Sequence, residues 1–548
     1  MNPLIKQSCA SVFSLAFSVT TFSAYAAHIP DNITLTPAKE QTLVRGNDAE
    51  AATLDPMKAE GLAEMHIIRD LFEGLVIQDE NGHIIPGVAS NWVVQDNKVY
   101  TFTLRQDAKW SNGQPITADD FVYSLRRLAD PKSASPNAWY LKLAQIENAE
   151  AIVDGKKPID SLGVKAIDPH TLQITLSKPV PYFIAMTAHT AMMPVPKSVI
   201  EKYGDRWARA GHIVSNGAYT LKKWVVNERI ELTRNPNYWD NKDTVINKVV
   251  YIPFENQNSA MNRYLTGEVD ITSDVPAAMA PKLKKEHADA YTVTPLLCTY
   301  YYAFNTQHKP FDNPKVRQAL SYAIHRDVIT DGITQVGNIP AYTFAHKDVA
   351  GFKATQPKYA QMTQKERDEK AQALMKEAGF DKQHPLKGTL LYNTSATNKE
   401  IAVAITSMWN KTLGTDITLE NQEWKSYLSS RKQGNFDIMR ASWCGDYNEA
   451  STFLSLFTAG NERNYAFYSN PTYDAVINHA QVATDLGERN HNYDQAESML
   501  SQDMPIAPIY YYMQARLVRP TVGGFPMHNA EGKIYTKDLY IKAKKPKS

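Results

Sequence analysis

Alternation of apolar and polar residues gives the first landmarks. Val99-Tyr-Thr-Phe-Thr-Leu104 and Leu172–Leu176 repeat with period two, which predicts half-buried strands. Residues 77–104 read as antiparallel hairpins, with a turn at Asn81-Gly82. Ser111-Asn-Gly113 marks another turn, and Pro179-Val-Pro181 breaks the strand before it. Between these turns Phe121, Val122, Leu125 and Leu128 recur at helical spacing. Thr117 with Asp120 three residues on predicts the N-terminal cap of that helix. Strands are expected again at Ala218–Trp224, Arg229–Thr233 and Val249–Ile252, with Asn235-Pro-Asn237 as a turn. Ala260–Leu265 reads as a helix stopped at Gly267, and Asp270-Ile271 as the start of a short strand.

The rhythm then changes. Thr299–Phe304 reads as a strand and Pro314–Ile324 as an amphipathic helix carrying Val316, Ala319, Leu320 and Ala323 on one face. Lys365–Ala378 predicts a helix closed by Gly379 at the position after its cap. Leu390–Tyr392, Glu400–Leu413 and Ile417–Leu419 follow as strand, helix and strand, which points to a parallel or mixed sheet with crossover helices. The fold class is therefore a mixture of α+β in the first half and α/β in the second. At 548 residues the chain exceeds what one core supports, so two or three domains are expected. Ligands of two-lobed proteins usually lie between the lobes.

Charge narrows the partners. The net charge is +1 with acids and bases interspersed, and neither a nucleic-acid-binding face nor a membrane-surface stripe is visible. The 29 tyrosines and nine tryptophans are more than a core needs, and such residues often line recognition surfaces. Lys6, the apolar and small run Ser11–Thr21, and Ser23-Ala24-Tyr25-Ala26 fit a cleavable secretory signal over residues 1–26. No lipid-attachment box precedes Cys9, and no later run is long enough to span a bilayer. Two cysteines remain, Cys298 and Cys444. An even pair in an exported chain points to one disulfide, with two buried thiols as the alternative. The tail Lys542–Ser548 reads as a solvated, disordered end.

Catalytic signatures are missing: there is no phosphate-binding Gly-rich loop, no H-E-x-x-H and no G-x-S-x-G, and the fourteen histidines are scattered. No cofactor and no metal are expected, and the chain does not read as an enzyme. The segment Arg440-Ala-Ser-Trp-Cys-Gly-Asp-Tyr-Asn-Glu449 carries a different chemistry. The apolar run Phe436-Asp-Ile-Met439 leads into it as a strand. A strand ending in Trp-Cys-Gly-Asp presents backbone, an aromatic wall and one fixed negative charge, which suits a free amine on an extended peptide.

Across the whole mature chain the sequence resembles the periplasmic oligopeptide-binding proteins of peptide-import ABC transporters, solute-binding protein family 5, including their murein-tripeptide-binding relatives. The resemblance rests on Arg69-Asp-Leu-Phe-Glu-Gly-Leu75, Pro86-Gly-Val-Ala89 through Phe102-Thr-Leu-Arg105 and Ala108-Lys-Trp110, and Ala118-Asp-Asp-Phe-Val-Tyr123. It continues in Asn216-Gly-Ala-Tyr219, Cys298-Thr-Tyr-Tyr-Tyr302, Asn421-Gln-Glu-Trp-Lys425 and Trp443-Cys-Gly-Asp-Tyr-Asn-Glu449. It implies a two-lobed, three-domain periplasmic binding protein fold with hinge closure around the ligand. Domain I would comprise 27–72, 197–297 and 514–548, domain II 73–196, and domain III 298–513. It implies a monomer in the periplasm that captures short peptides and passes them to an inner-membrane ABC permease.

By the same resemblance Asp446 pairs with the peptide's α-amino group. The peptide main chain adds as a strand between Glu60-Gly-Leu62 and Ser442-Trp-Cys444. Trp424, Trp443 and the tyrosines around Tyr301 wall roomy side-chain pockets, with Asn393 beside them. Arg431 and Arg440 suit bidentate binding of the peptide carboxylate. Three positions depart from the oligopeptide binder: Asn398 replaces a histidine, Thr334 a lysine, and Ala303 a glutamate, the last as in the murein-peptide relative. The alternatives are a murein tripeptide receptor, a secreted peptide hydrolase, and a holdase using the same cleft.

Overall fold

In the computed structural model, residues 29, 30, 32–37, 40–254, 256–461 and 463–543 are described, with the backbone alone for Lys425. Residues 1–26, read as an export signal, lie outside them, as does most of the tail. The first two tail residues are not loose: Lys542 bridges Leu35, and the Ala543 N–H donates to the Thr34 carbonyl (2.8 Å). Both ends of the described chain are thus stitched into one lobe.

That lobe begins with β1 (Thr42–Asn47) and α1 (Leu62–Leu71), whose buried face carries Ile67, Ile68 and Leu71. The hairpin β2 (Val76–Gln78) and β3 (Ile84–Pro86) turns at Asn81-Gly82, where Gly82 holds φ of 84°. A four-stranded antiparallel sheet follows in the order β4 (Ala89–Gln95), β5 (Val99–Leu104), β7 (Thr171–Thr175), β6 (Val164–Asp168). Helix α2 (Ala118–Ala129) lies against it, opened by the expected Thr117–Asp120 capping box and burying Phe121, Val122, Leu125 and Leu128. The chain then returns with β8 (Tyr219–Val225), β9 (Arg229–Arg234) and β10 (Lys248–Pro253), which pairs in parallel with β1. A buried network joins these parts. Asp70 on α1 accepts from the Tyr251 hydroxyl (2.7 Å) and the Thr536 N–H (3.0 Å), and Arg45 on β1 donates to Tyr251 (2.8 Å). One continuous core runs from Leu43 and Ile67 to Phe102 and Leu125.

After α3 (Gln257–Thr266), closed by Gly267 in the left-handed region, Ile271 makes only isolated bridges to Arg45 and Val518. The short strand expected at Asp270-Ile271 is therefore two single bridges. β11 (Tyr291–Phe304) starts eight residues earlier than its sequence pattern indicates. The missed first half is mostly half-buried and carries Pro295, so no clean alternation marks it. β11 crosses into a six-stranded mixed sheet of order β12 (Ile339–Pro340), β16 (Ile506–Leu517), β11, β15 (Ile438–Cys444), β13 (Lys387–Asn393), β14 (Asp416–Gln422). Helix α4 (Pro314–Tyr322) packs on α5 (Gln364–Glu377), which ends before Gly379 as expected. The crossover helix α6 (Ala396–Leu413) joins the parallel pair β13 and β14. Helix α7 (Trp424–Gln433) leads into β15. Helices α8 (Pro471–Val482) and α9 (Leu486–Asp503) close the second face. Separate cores fill the two faces, with Tyr300 and Tyr302 in one and Tyr301 in the other.

β11 and β16 run through both lobes, and their pairing shifts register between Pro295 and Thr299. β11 and β15 are tied by the Cys298–Cys444 disulfide, with Cα atoms 4.0 Å apart and 146 residues of sequence between them. A bridge closing so long a loop removes conformational freedom from the unfolded chain. The double variant Cys298→Ser/Cys444→Ser is expected to lose about 2–4 kcal/mol and to melt several degrees lower in calorimetry; an unchanged melting temperature would contradict this.

Candidate ligand-binding cleft

The pairing of β15 is incomplete. On one side it is antiparallel to β11 along its whole length, from Ile438↔Phe304 to Cys444↔Cys298. On the other side β13 accompanies it only at Leu390↔Ile438 and Leu391↔Met439. Beyond Met439 that edge has no strand beside it. The Gly445 N–H donates to the Leu297 carbonyl (2.8 Å), so odd-numbered residues here face β11. Arg440, Ser442 and Cys444 therefore aim their N–H and C=O groups at the open edge. The Tyr427 hydroxyl donates to the Arg440 carbonyl. What is left on offer is the backbone of Ser442 and Cys444. Close packing fixes this end: a side chain at Gly445 would place its Cβ 2.7 Å from Leu297 Cδ2.

Asp446 follows at once. Its N–H donates to Thr452 Oγ1 (3.1 Å), while its carboxylate oxygen Oδ2 is buried without a hydrogen-bond partner. Burial pushes this carboxyl up to about 7, against the opposing pull of Arg463 and Lys533 and with a smaller push from Glu531. Lys533 is paired with Glu531, which also accepts from Gln78 Nε2 (2.7 and 2.9 Å). Next to Asp446, Tyr447 stacks on Tyr182 of the first lobe (centroids 5.6 Å, planes 9° apart) and meets Tyr140 edge-on (6.5 Å). The carboxylate thus lies at the seam where the lobes meet.

Two arginines flank the open edge on opposite faces. Arg440 Nη1 donates to Asn393 Oδ1 (3.3 Å) and Nη2 to the Tyr512 hydroxyl (3.1 Å), over the Tyr300 ring (4.7 Å). Burial lowers its pKa, but the phenol oxygens of Tyr512, Tyr300 and Tyr427 outweigh that and raise it. Arg431 on α7 donates to the Tyr465 hydroxyl (3.3 Å) and lies over that ring (4.1 Å). Both guanidinium Nε atoms are buried without partners, as is the indole Nε1 of half-buried Trp443. Native interiors seldom leave such groups unmet, and four of them converge here.

The structure brings together Asp446, Arg440, Arg431, Trp443, Cys444 and Asn393, and Trp424 joins them by stacking on Tyr427 (5.6 Å, 17°) while 50% exposed. Tyr301 is 4% exposed, packs edge-on against Phe344 and Phe457, and has Arg431, Tyr427 and Tyr465 of the cleft as electrostatic neighbours. Gly61 is extended ahead of α1, and Leu62 is the first residue of the helix and 42% exposed. No strand forms at 60–62. Asn137 holds the Ala59 carbonyl (2.8 Å) close to this seam. Asn398 donates to Asn393 Oδ1 (3.1 Å), and Thr334 bonds back to the Thr330 carbonyl (3.0 Å). Sequence reasoning missed Tyr427, Tyr465, Tyr512, Arg463 and the Glu531–Lys533 pair. Among the described residues no cluster of His, Cys, Asp and Glu could hold a metal ion, and no helix is long and apolar enough to cross a membrane.

Comparison with known proteins gives the family. Residues 83–465 match the model of bacterial extracellular solute-binding proteins, family 5. The periplasmic oligopeptide-binding protein of Salmonella typhimurium is 47% identical over 542 residues, 99% of each chain. The solved murein tripeptide-binding protein of Escherichia coli is 48% identical, with a TM-score of 0.85 over 93% of this chain and all of that one. An unliganded open form of a periplasmic murein tripeptide-binding protein, 47% identical, scores 0.79 over 94% and 99%. The chain belongs to family 5 of the bacterial extracellular solute-binding proteins.

Proposed function

We propose that this protein is a periplasmic receptor that closes on short peptides and presents them to an ABC-type permease of the inner membrane. The observation that carries it is the half-paired strand β15, whose free backbone at Ser442 and Cys444 lies between a lone buried carboxylate and two unmet guanidiniums. A peptide added there gains backbone hydrogen bonds that any sequence can make. With its amine at Asp446 and its carboxylate toward Arg440 and Arg431, it runs antiparallel to β15. Arg440 to Cys444 spans roughly 14 Å of strand, which suits three to four extended residues. Glu60 and Gly61, ahead of α1 and paired with no strand among the described residues, are the candidate second edge. Trp424 and Trp443 flank the peptide's side chains.

The hinge of this reading lies at the β11–β16 register shift between Pro295 and Thr299, beside the expected 297/298 boundary. A ligand that touches both lobes binds the closed form better, and that difference drives closure. The protein binds without cleaving, so peptides incubated with it are expected to remain intact by mass spectrometry.

Calorimetry on ligand-stripped protein tests the site. Asp446→Asn is expected to weaken tri-alanine binding by about 2–5 kcal/mol, the cost of removing one partner of a buried charge pair. Unchanged affinity would remove Asp446 from the site. The same group sets a pH dependence. In the free site the Asp446 carboxyl titrates near 7, and a bound ammonium favours the carboxylate. Binding therefore expels a proton below about 7, and affinity falls as pH drops through that value, by up to about tenfold per unit. In Asp446→Asn this slope is expected to vanish; a flat wild-type profile between pH 5 and 7, ~100-fold short of that expectation, would contradict the assignment.

A further inference from the structure

At the Asp446 end of the cleft the two lobes grip each other through side chains of their own. Tyr447 belongs by sequence to the second lobe, yet it is 0% exposed and lies within the continuous core of the first. It stacks on Tyr182 (centroids 5.6 Å, planes 9° apart) and meets Tyr140 edge-on (6.5 Å). A ring seated in the opposite lobe must leave it when the lobes part.

Both sides of this contact are held in place. On the second lobe the Tyr447 hydroxyl and Ser451 Oγ share a hydrogen bond (2.9 Å), and the Ser451 N–H donates to Glu449 Oε2 (2.6 Å). Glu449 pairs with Arg489 on α9 (3.4 Å), whose guanidinium stands 5.9 Å from the centre of the Tyr182 ring. On the first lobe the Tyr140 hydroxyl donates to the Met186 carbonyl (3.0 Å), and its ring stacks on His189 (4.4 Å, 24°). The Tyr100 hydroxyl donates to the Val180 carbonyl (2.5 Å), two residues before Tyr182. Beside the stack, Leu143 and Val180 approach Gln481 and Val482 of α8 around a cavity of about 10 Å³, room for one water. Side chains fixed in this way lose little freedom on meeting, so more of the contact energy is left to favour closure.

Resting on the peptide-receptor reading, we propose that Tyr447 and Tyr182 form a latch that stabilises the closed form and raises the affinity for every peptide alike. Tyr447 is a positioning residue, acting through closure of the lobes. Peptide binds the closed form better than the open one, so whatever the lobes gain from each other adds to the apparent affinity. The backbone edge and the terminal charges decide what binds, and the latch decides how long it stays. Because Tyr447 follows Asp446 directly, seating the ring in the first lobe also brings that carboxylate to the seam.

Calorimetry and stopped-flow kinetics on ligand-stripped protein decide it, with tri-alanine and tri-lysine as probes. Tyr447→Ala alters the neighbour of Asp446, so Tyr182→Ala removes the same contact from the other lobe. Each is expected to weaken tri-alanine about tenfold or more, chiefly through faster dissociation, and tri-lysine by the same factor within about twofold. Tyr447→Phe keeps the ring and is expected to stay within about threefold of the wild type. In the double variant Tyr182→Ala/Tyr447→Ala the contact is lost only once, so binding is expected within about threefold of the weaker single variant. A misfolded fraction lowers the titration stoichiometry and leaves Kd readable. Wild-type affinity in either alanine variant, a tenfold loss in Tyr447→Phe, losses that multiply in the double variant, or a loss carried by slower association would overturn the latch. If the wild type binds neither peptide, the receptor reading itself fails; if it binds and the alanine variants bind equally well, the latch alone fails.

Discussion

Backbone N–H and C=O groups must be paired or hydrated, and a strand that stops being paired halfway is a constraint the surrounding structure has to manage. β13 leaves β15 after Leu391↔Met439, and among the described residues no strand replaces it. Much of the second lobe serves to keep that exposed half straight. β11 holds it from behind over its whole length, the Cys298–Cys444 bridge clamps its end, and Gly445 lets the turn press against Leu297. Tyr427 occupies the first free carbonyl, at Arg440, which narrows the open edge to Ser442 and Cys444. An open edge on a protein surface invites aggregation, whereas this one lies beside the seam between the lobes.

Electrostatics then gives the edge a direction. Asp446 at one end is half-buried with its Oδ2 buried and unmet, and its raised pKa reflects the cost of holding that charge in dry surroundings. Arg440 and Arg431 at the other end have unmet Nε atoms of their own. The unliganded cleft stores this desolvation cost, and a ligand with an amine at one end and a carboxylate at the other relieves both ends at once. Backbone bonding tolerates any sequence, while the terminal charges demand free ends. The β11–β16 strand pair shifts register between Pro295 and Thr299, where it passes from one lobe to the other.

How much of this was legible in the sequence depended on how local the signal was. Asn81-Gly82, the Thr117–Asp120 box, Gly267 and Gly379 each act within one turn, and all appear where expected. β16 and the early part of β11 gave no alternation, being buried on both faces or interrupted by Pro508 and Pro295. Helix α9 is mostly polar and buries only Tyr493, Ala496, Glu497 and Leu500, so it carried little periodicity. In the site, Arg440, Trp443, Cys444 and Asp446 stand within seven residues and could be read together. Tyr465, Tyr512, Arg463 and Lys533 reach the same place only through the fold. A run of three tyrosines does not say which face each occupies, so the burial of Tyr301 was not legible, and neither was the helix start at the exposed Leu62.

Amide hydrogen exchange with and without saturating tri-alanine tests the central claim most directly. Peptide added as a strand is expected to slow exchange at Ser442 and Cys444, leaving Ala441 and Trp443, already bonded to β11, little changed. Protection appearing elsewhere while Ser442 and Cys444 exchange at their free rates would contradict it.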